Sequence, residues 1–235
     1  MEKIKMLKKV NNVTIIQGFP GFGLVGTIAT EYLIEHLQCE LIGRYWFEEL
    51  PATITIHAEK VVPPIGVYYN KKFNLVLVHS IISSSGIEWK IAELIQSIAS
   101  QTKAKEIISL EGVSSSEGLT EPRAFYYSTN PLVGKKLQGT ADVLKEGIII
   151  GVTSALLIKS NVKMTSLFAD THSQLPDSKA AAKLITVLDI YLGLNIDTKP
   201  LLEIAKKFEE RIKLLMEKGL ETQEEQKKKQ LNYVG

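Results

Sequence analysis

The sequence contains very little cysteine and histidine. Its single cysteine, Cys39, cannot form an intrachain disulfide or supply the cysteine pairs of a structural zinc site. The four histidines are widely separated and show none of the short spacings of metal-binding motifs. We therefore expect no metal and no other cofactor. Such sparing use of cysteine is also typical of a reducing, intracellular compartment.

The chain also lacks a strong charge imbalance and a long apolar run. Its formal net charge of +2 provides no electrostatic basis for binding nucleic acid or an acidic membrane surface. Its longest apolar stretch, residues 147–158, is shorter than the roughly 20 residues that span a bilayer. The lysine-containing N-terminal segment has no apolar core of the length found in signal peptides. These features predict a cytoplasmic protein without nucleic-acid or membrane partners.

Short β-branched runs alternate with amphipathic helical patterns over residues 10–195. This alternation predicts an α/β fold with a mixed, largely parallel sheet flanked by helices. The predicted strands cover residues 13–16, 41–47, 53–57, 66–69, 75–80, 105–110, 124–128, 148–150 and 164–169. The predicted helices cover residues 24–37, 88–101, 176–192 and 199–218.

The composition changes towards the C-terminus and suggests three parts. Residues 1–195 form the predicted α/β core domain, residues 196–219 a C-terminal amphipathic helix, and residues 220–235 a flexible charged tail. The tail has almost no apolar side chain before its last five residues, so it cannot bury enough surface to order itself. Its end has the composition of a docking peptide, with four candidate partner-binding residues: Leu231, Tyr233, Val234 and Gly235.

The segment between the first predicted strand and helix is rich in glycine. Gly21, Gly23 and Gly26 match the G-x-G-x-x-G pattern of dinucleotide-binding folds, and Glu48 and Glu49 follow at about the right distance for a ribose-binding acid. The sequence between residues 41 and 80 lacks the βαβ rhythm of that fold, however. A mechanical role is the alternative: Gly21 and Gly23 would permit positive φ, and Gly26 a close approach of helix and sheet.

The same segment also contains Gly18 and Pro20, and the start of its helix is a candidate site for a small anion. Two serine-rich loops, residues 83–85 and 114–116, each follow an apolar strand. Loops in that position line the usual ligand crevice of an open α/β sheet. They suggest a polar pocket, although no G-x-S-x-G nucleophile motif is present. The candidate pocket residues are His79, Ser84, Glu111 and Ser115.

Four stretches of the chain together resemble the proteasome assembly chaperone family, and more closely its archaeal members. They are GFPGFGLVG at residues 18–26, EGV at residues 111–113, IIIGVTSALLI at residues 148–158, and LPDSKAAAKLITVLDIYLGLNIDTKPLL at residues 175–202. The last stretch is the most specific, since Pro176 and Asp177 open an alanine-rich helix. The likeness covers about residues 10–218.

This resemblance implies an α/β layout similar to that of nucleoside phosphorylases, without established catalytic residues. It also implies homo-oligomers and binding to the α-subunit ring of the proteasome core particle. Archaeal relatives are expected to bind through a C-terminal tail that ends in a hydrophobic residue, a tyrosine and one further residue. Here Tyr233 is third from the end, and Asn232 precedes it.

We therefore predict a non-enzymatic, oligomeric homologue of proteasome assembly chaperones that binds the core particle or its α subunits. The alternative is an enzyme or sensor that binds a nucleoside, phosphate or nucleotide with residues 18–26 and the serine-rich loops. A third hypothesis is a purely structural oligomer that serves a different partner.

Overall fold

The computed structural model describes residues 7–49, 55–57, 59–81, 85–114, 121–171 and 175–203. Within these ranges the chain forms ten strands, five complete α-helices, a short 3-10 turn at Phe22–Leu24 and the start of a further helix at residues 199–203. The strands are β1 (Thr14–Gly18), β2 (Glu40–Tyr45), β3 (Thr55–His57), β4 (Lys60–Val62), β5 (Ile65–Asn70), β6 (Leu75–Ser80), β7 (Glu106–Ser114), β8 (Ala124–Ser128), β9 (Asp142–Val143) and β10 (Lys163–Thr171). The helices are α1 (Val25–His36), α2 (Glu88–Thr102), α3 (Val133–Leu137), α4 (Val152–Lys159) and α5 (Ser178–Leu192).

Eight strands form one sheet in the order β2-β5-β6-β1-β7-β10-β8-β9. The central strands β6, β1, β7 and β10 are all parallel to one another. Antiparallel strands join at both sides, with β5 beside β6 and β8 beside β10. The predicted mixed, largely parallel sheet is therefore confirmed. A nucleoside-phosphorylase-like layout is compatible with this order and stays a prediction.

Helices cover both faces of the sheet and divide the core into two apolar layers. The α1/α5 face packs α1, α3 and α5 against the sheet, whereas α2 and α4 pack together on the opposite α2/α4 face. The central strands are buried on both faces, which explains their nearly continuous apolar sequences. Each large aliphatic side chain removed from water in this way stabilises the fold by roughly 1.5–3 kcal/mol.

Local signals at the ends of α5 place this helix where the sequence predicts it. The Asp177 side chain accepts a hydrogen bond from the Ala180 backbone N–H at 2.9 Å and caps the first turn. Gly193 ends the helix with φ +68°, a conformation that glycine adopts without steric cost. No helix of the described residues is both long enough and apolar enough to cross a membrane.

The prediction of a strand at residues 148–150 is wrong. This segment is irregular, and the side chains of Ile148 and Ile150 are 90% and 74% exposed. The edge strand of the sheet is instead β9, which lies earlier in the chain. The apolar residues after the 148–150 segment form α4, a helix that was not predicted from the sequence. A short isoleucine run has the same composition in a buried strand and in an exposed loop, so only tertiary packing decides which of the two it forms.

The proposed division into three parts stays a prediction. Residues 199–203 are helical, which is how the predicted helix 199–218 begins. The rest of that helix and the tail, with Leu231, Tyr233, Val234 and Gly235, lie outside the described residues.

Candidate functional site

The four stretches that carry the family resemblance meet at the carboxyl ends of the parallel strands. The glycine-rich segment, residues 18–26, connects β1 to α1 at this edge. Gly23 and Leu24 both adopt left-handed backbone conformations, with φ of +61° and +48°. These two residues reverse the chain between strand and helix. Gly21 is extended at φ −151°, so the expectation of a positive φ at that position is wrong.

Three glycines at this edge permit contacts between backbones. A Cβ atom on Gly18 would lie 2.1 Å from the carbonyl oxygen of Gly26, and one on Gly26 would lie 2.2 Å from the carbonyl oxygen of Leu110. A Cβ atom on Gly112 would lie 2.2 Å from the carbonyl oxygen of Phe22. Residues 18–26 thus pack directly against β7. This packing accounts for the glycines without a bound nucleotide.

Residues 18–26 are also fastened to the start of α5. The Asp177 backbone N–H donates a hydrogen bond to the carbonyl oxygen of Gly23 at 2.8 Å. The Thr171 hydroxyl donates to the Asp177 carboxylate at 2.7 Å. Pro20 is half-buried in the same turn. The glycine segment is therefore a junction between β1, α1, β7 and α5.

His79 lies on the α1/α5 face, near the carboxyl end of β6. Its Nδ1 atom is 2.9 Å from the Thr30 hydroxyl, and its ring meets the Tyr68 ring edge to face. Burial lowers the pKa of His79 to about 4, because the surrounding protein disfavours the charged imidazolium. His79 is thus a neutral core residue near pH 7.

Glu111 lies on the opposite, α2/α4 face, near the carboxyl end of β7. Its carboxylate accepts a hydrogen bond from the Thr153 hydroxyl at the start of α4. The Thr153 oxygen in turn accepts from the Gln17 side-chain amide at 3.1 Å. Glu111 is half-buried by surface area, yet enough protein surrounds its carboxyl group to raise its pKa to about 7. Desolvation is the main cause, and the Thr153 bond opposes it.

The predicted polar pocket is not assembled from these two side chains. His79 and Glu111 lie on opposite faces of the sheet, with the strands between them. Sequence order could not reveal this, because strand residues alternate between faces and the register is decided by packing. The other two predicted pocket residues, Ser84 and Ser115, lie outside the described part of the chain.

A row of buried polar side chains crosses the α2/α4 face beside Glu111. Gln17, Ser109 and Ser166 are register neighbours on β1, β7 and β10. Each has one side-chain oxygen without a hydrogen-bond partner among the described residues. This row was not predicted from the sequence. Its sequence signal is a polar residue among the buried apolar residues of each strand.

The segment that leads into α4 passes Glu111 at Gly151 and carries exposed apolar side chains just before it. We call residues 148–150 the isoleucine loop; Gly151 follows it with φ +99°. A Cβ atom on Gly151 would lie 3.8 Å from Oε1 of Glu111, so the loop runs past the carboxyl group. Within the described ranges, no three histidine, cysteine or acidic residues are grouped to hold a metal ion.

Comparisons with known proteins agree with this architecture. A protein of Methanocaldococcus jannaschii is 28% identical over 237 residues, which cover all of this chain and 97% of the relative. The crystal structure of PbaA from Pyrococcus furiosus, an archaeal homolog of proteasome-assembly chaperone, matches with a TM-score of 0.80 and 27% identity. The match covers 97% of this chain and 98% of PbaA.

PbaB from the same organism, an archaeal proteasome activator, matches with a TM-score of 0.75 over 91% of this chain and 98% of PbaB. At 24% identity this likeness shows the shared fold. A sequence model of the PAC2 family matches residues 15–216, which include all four stretches that meet at the carboxyl edge. The chain therefore belongs to the PAC2 family.

Proposed function

We propose that this protein is a non-enzymatic, cytoplasmic homologue of proteasome assembly chaperones, which forms homo-oligomers and binds the α subunits of the proteasome core particle. The observation that carries the proposal is membership of the PAC2 family over residues 15–216. The likeness to PbaA over nearly the whole length of both chains supports it.

The packing of the glycine-rich segment supports a binding role over a catalytic one. Gly18, Gly26 and Gly112 serve contacts between backbones, so the feature that suggested a nucleotide site has a structural explanation. His79 is held neutral in the core and forms no pair with Glu111. Neither His79 nor the glycine segment therefore supplies the small-molecule alternative with a reactive group.

The C-terminal residues are the proposed anchor for the core particle. Tyr233 would pack in a pocket between neighbouring α subunits, while the terminal carboxylate pairs with a basic side chain. Leu231 and Val234 add apolar area on either side of the tyrosine, and Gly235 carries the carboxylate. The charged residues before them would serve as a flexible tether.

A native-gel and pull-down titration with proteasome core particles and free α subunits tests this function. Full-length protein is compared with a version truncated after Lys218 and with Tyr233→Ala; Gln230→Ala is the matched control. We expect truncation to abolish binding, Tyr233→Ala to weaken it several-fold, and the control to bind normally. Binding that survives truncation would move the contact to the folded domain.

No binding by either version would contradict the proposed function. In that case, thermal shift measurements with phosphate, nucleosides, NAD and ATP test the small-molecule alternative, because a ligand that binds the folded state raises its melting temperature.

A further inference from the structure

The polar groups next to the Glu111 carboxyl group are neutral. The Gln17 amide donates to the Thr153 hydroxyl at 3.1 Å, and the Thr153 hydroxyl is near enough to Glu111 to lower its pKa by hydrogen bonding. Gln17 and Thr153 are both buried. The carboxyl group therefore has neutral groups of β1 and α4 on this side and no positive charge among them.

The elements around Glu111 leave its negative charge uncompensated. Its cross-strand neighbour on β10 is Phe168, and the facing residues on β1 and α4 are Gln17 and Thr153, none of which ionises. Further along β10, Asp170 is already paired with Arg123 at 3.0 Å. Within the described part of the chain, no lysine or arginine forms an ion pair with Glu111.

Glu111 is partly open to solvent at this end of the sheet. Glu111 keeps part of its surface exposed, and Gly151 passes it without a side chain that would cover it. The two exposed members of the isoleucine loop, Ile148 and Ile150, are close in sequence to this opening. The Glu111 carboxylate, which has no cation of its own among the described residues, is complementary to a basic side chain. The exposed isoleucines of the preceding loop suit the aliphatic stem of such a side chain.

We propose that Glu111 and the isoleucine loop form a socket for a lysine or arginine side chain of a proteasome α subunit. The proposal rests on the function proposed above and adds a second contact to that of the tail. The ammonium or guanidinium group binds the Glu111 carboxylate, and Ile148 and Ile150 pack against the aliphatic stem and exclude water. The two charges of a close pair shielded at an interface are coupled more strongly than those of an exposed pair.

The test measures the affinity of purified core particles for the full-length protein and for Glu111→Gln. Glutamine has nearly the same shape and still accepts the Thr153 hydrogen bond, so the variant loses only the charge. Glu146→Gln is the matched control, because Glu146 is an exposed carboxylate close to the same loop. We expect Glu111→Gln to weaken binding by about tenfold or more and the control to change it less than twofold.

A second variant and a pH series separate the socket from a structural role. Ile150→Ser should also weaken binding, by about threefold or more, and thermal unfolding checks that both variants are folded. Wild-type affinity should rise between pH 6 and pH 8 as Glu111 ionises, and Glu111→Gln should lose that rise.

Equal affinities of the wild type and Glu111→Gln would overturn the socket and leave the proposed function standing. Absence of binding by the wild type would contradict both proposals.

Discussion

Gly18 and Gly26 are in direct backbone contact where β1 passes under α1. A Cβ atom on Gly18 would lie 2.1 Å from the Gly26 carbonyl oxygen, closer than real Cβ contacts occur. The next layer is equally tight, since a Cβ atom on Gly26 would overlap the carbonyl oxygen of Leu110. The obstructing atoms belong to the backbone of two core elements, so a flexible side chain cannot move aside to make room.

Replacement of Gly26 by alanine should therefore destabilise the protein by about 3 kcal/mol, the upper end of the usual cost of overpacking. Gly21→Ala is the matched control from the same segment. Gly21 is extended, and a Cβ atom there meets nothing within 4 Å, so its change should lie within about 0.5 kcal/mol. Urea denaturation of the three proteins measures both effects. Equal stability of the two variants would contradict the backbone contact.

Tyr191 and Glu106 link α5 to β7 inside the core. The Tyr191 hydroxyl lies 2.9–3.0 Å from both carboxylate oxygens of Glu106, and burial together with that carboxylate raises the pKa of Tyr191. Tyr191→Phe removes a donor to a buried charged group and should cost about 1.5–3 kcal/mol of unfolding free energy. Tyr127→Phe is the control, because Tyr127 is exposed, and should change stability by less than about 0.5 kcal/mol.

The buried hydroxyl of Ser109 has no hydrogen-bond partner within the described chain. Ser109→Ala should leave stability unchanged or raise it by up to about 1 kcal/mol, because a buried unpaired polar group is destabilising. Ser128→Ala is the comparison. Its hydroxyl is 3.0 Å from the Met164 carbonyl oxygen and 2.8 Å from the Thr165 hydroxyl, so its loss should cost about 1 kcal/mol. A clear loss of stability in Ser109→Ala would show that this hydroxyl has a partner.

Acidification should destabilise the protein through His79. The folded-state pKa of His79, about 4, lies below the ordinary histidine pKa of 6.5, so the unfolded state binds more protons between these values. Stability from neutral His79 is therefore complete above about pH 6.5 and is lost as the pH falls towards 4. The full loss of unfolding free energy is about 3 kcal/mol, because each unit of pKa difference corresponds to about 1.4 kcal/mol. The difference in unfolding free energy between wild type and His79→Gln, measured from pH 4 to pH 8, should show this slope.

Glu111 should give the unfolding free energy a pH dependence of the opposite sign. Its folded-state pKa of about 7 lies above the ordinary glutamate pKa of 4.5, so the folded state binds more protons between these values. The contribution of protonated Glu111 to stability is complete below about pH 4.5 and is lost as the pH rises through 7. Glu111→Gln should therefore be more stable than the wild type at pH 8, by up to about 2 kcal/mol after allowance for partial exposure, and similar at pH 4. Urea denaturation of both proteins at pH 4 and pH 8 measures this difference in unfolding free energy.

The spacing of apolar residues along the sequence was sufficient to predict most of the helices and strands. The strands near residues 13–16, 75–80 and 164–169 and the helices near residues 24–37, 88–101 and 176–192 are where the sequence predicts them. Their signals are local: β-branched runs, apolar spacing of helical period, and end signals such as Asp177 and Gly193. The quoted stretches also indicated the family, which the PAC2 model over residues 15–216 confirms.

Tertiary packing decided how the candidate residues are grouped. His79 and Glu111 each lie near the carboxyl end of a strand, but successive strand residues point to opposite faces, so the register placed the two on different sides of the sheet. Ile148 and Ile150 were predicted in a buried strand but are exposed in the loop before α4, since an apolar run contains no information about which surface covers it. The row formed by Gln17, Ser109 and Ser166 exists only because three distant segments pair in one register. The sequence thus specifies each element locally, and contacts between distant segments determine the surface that a partner meets.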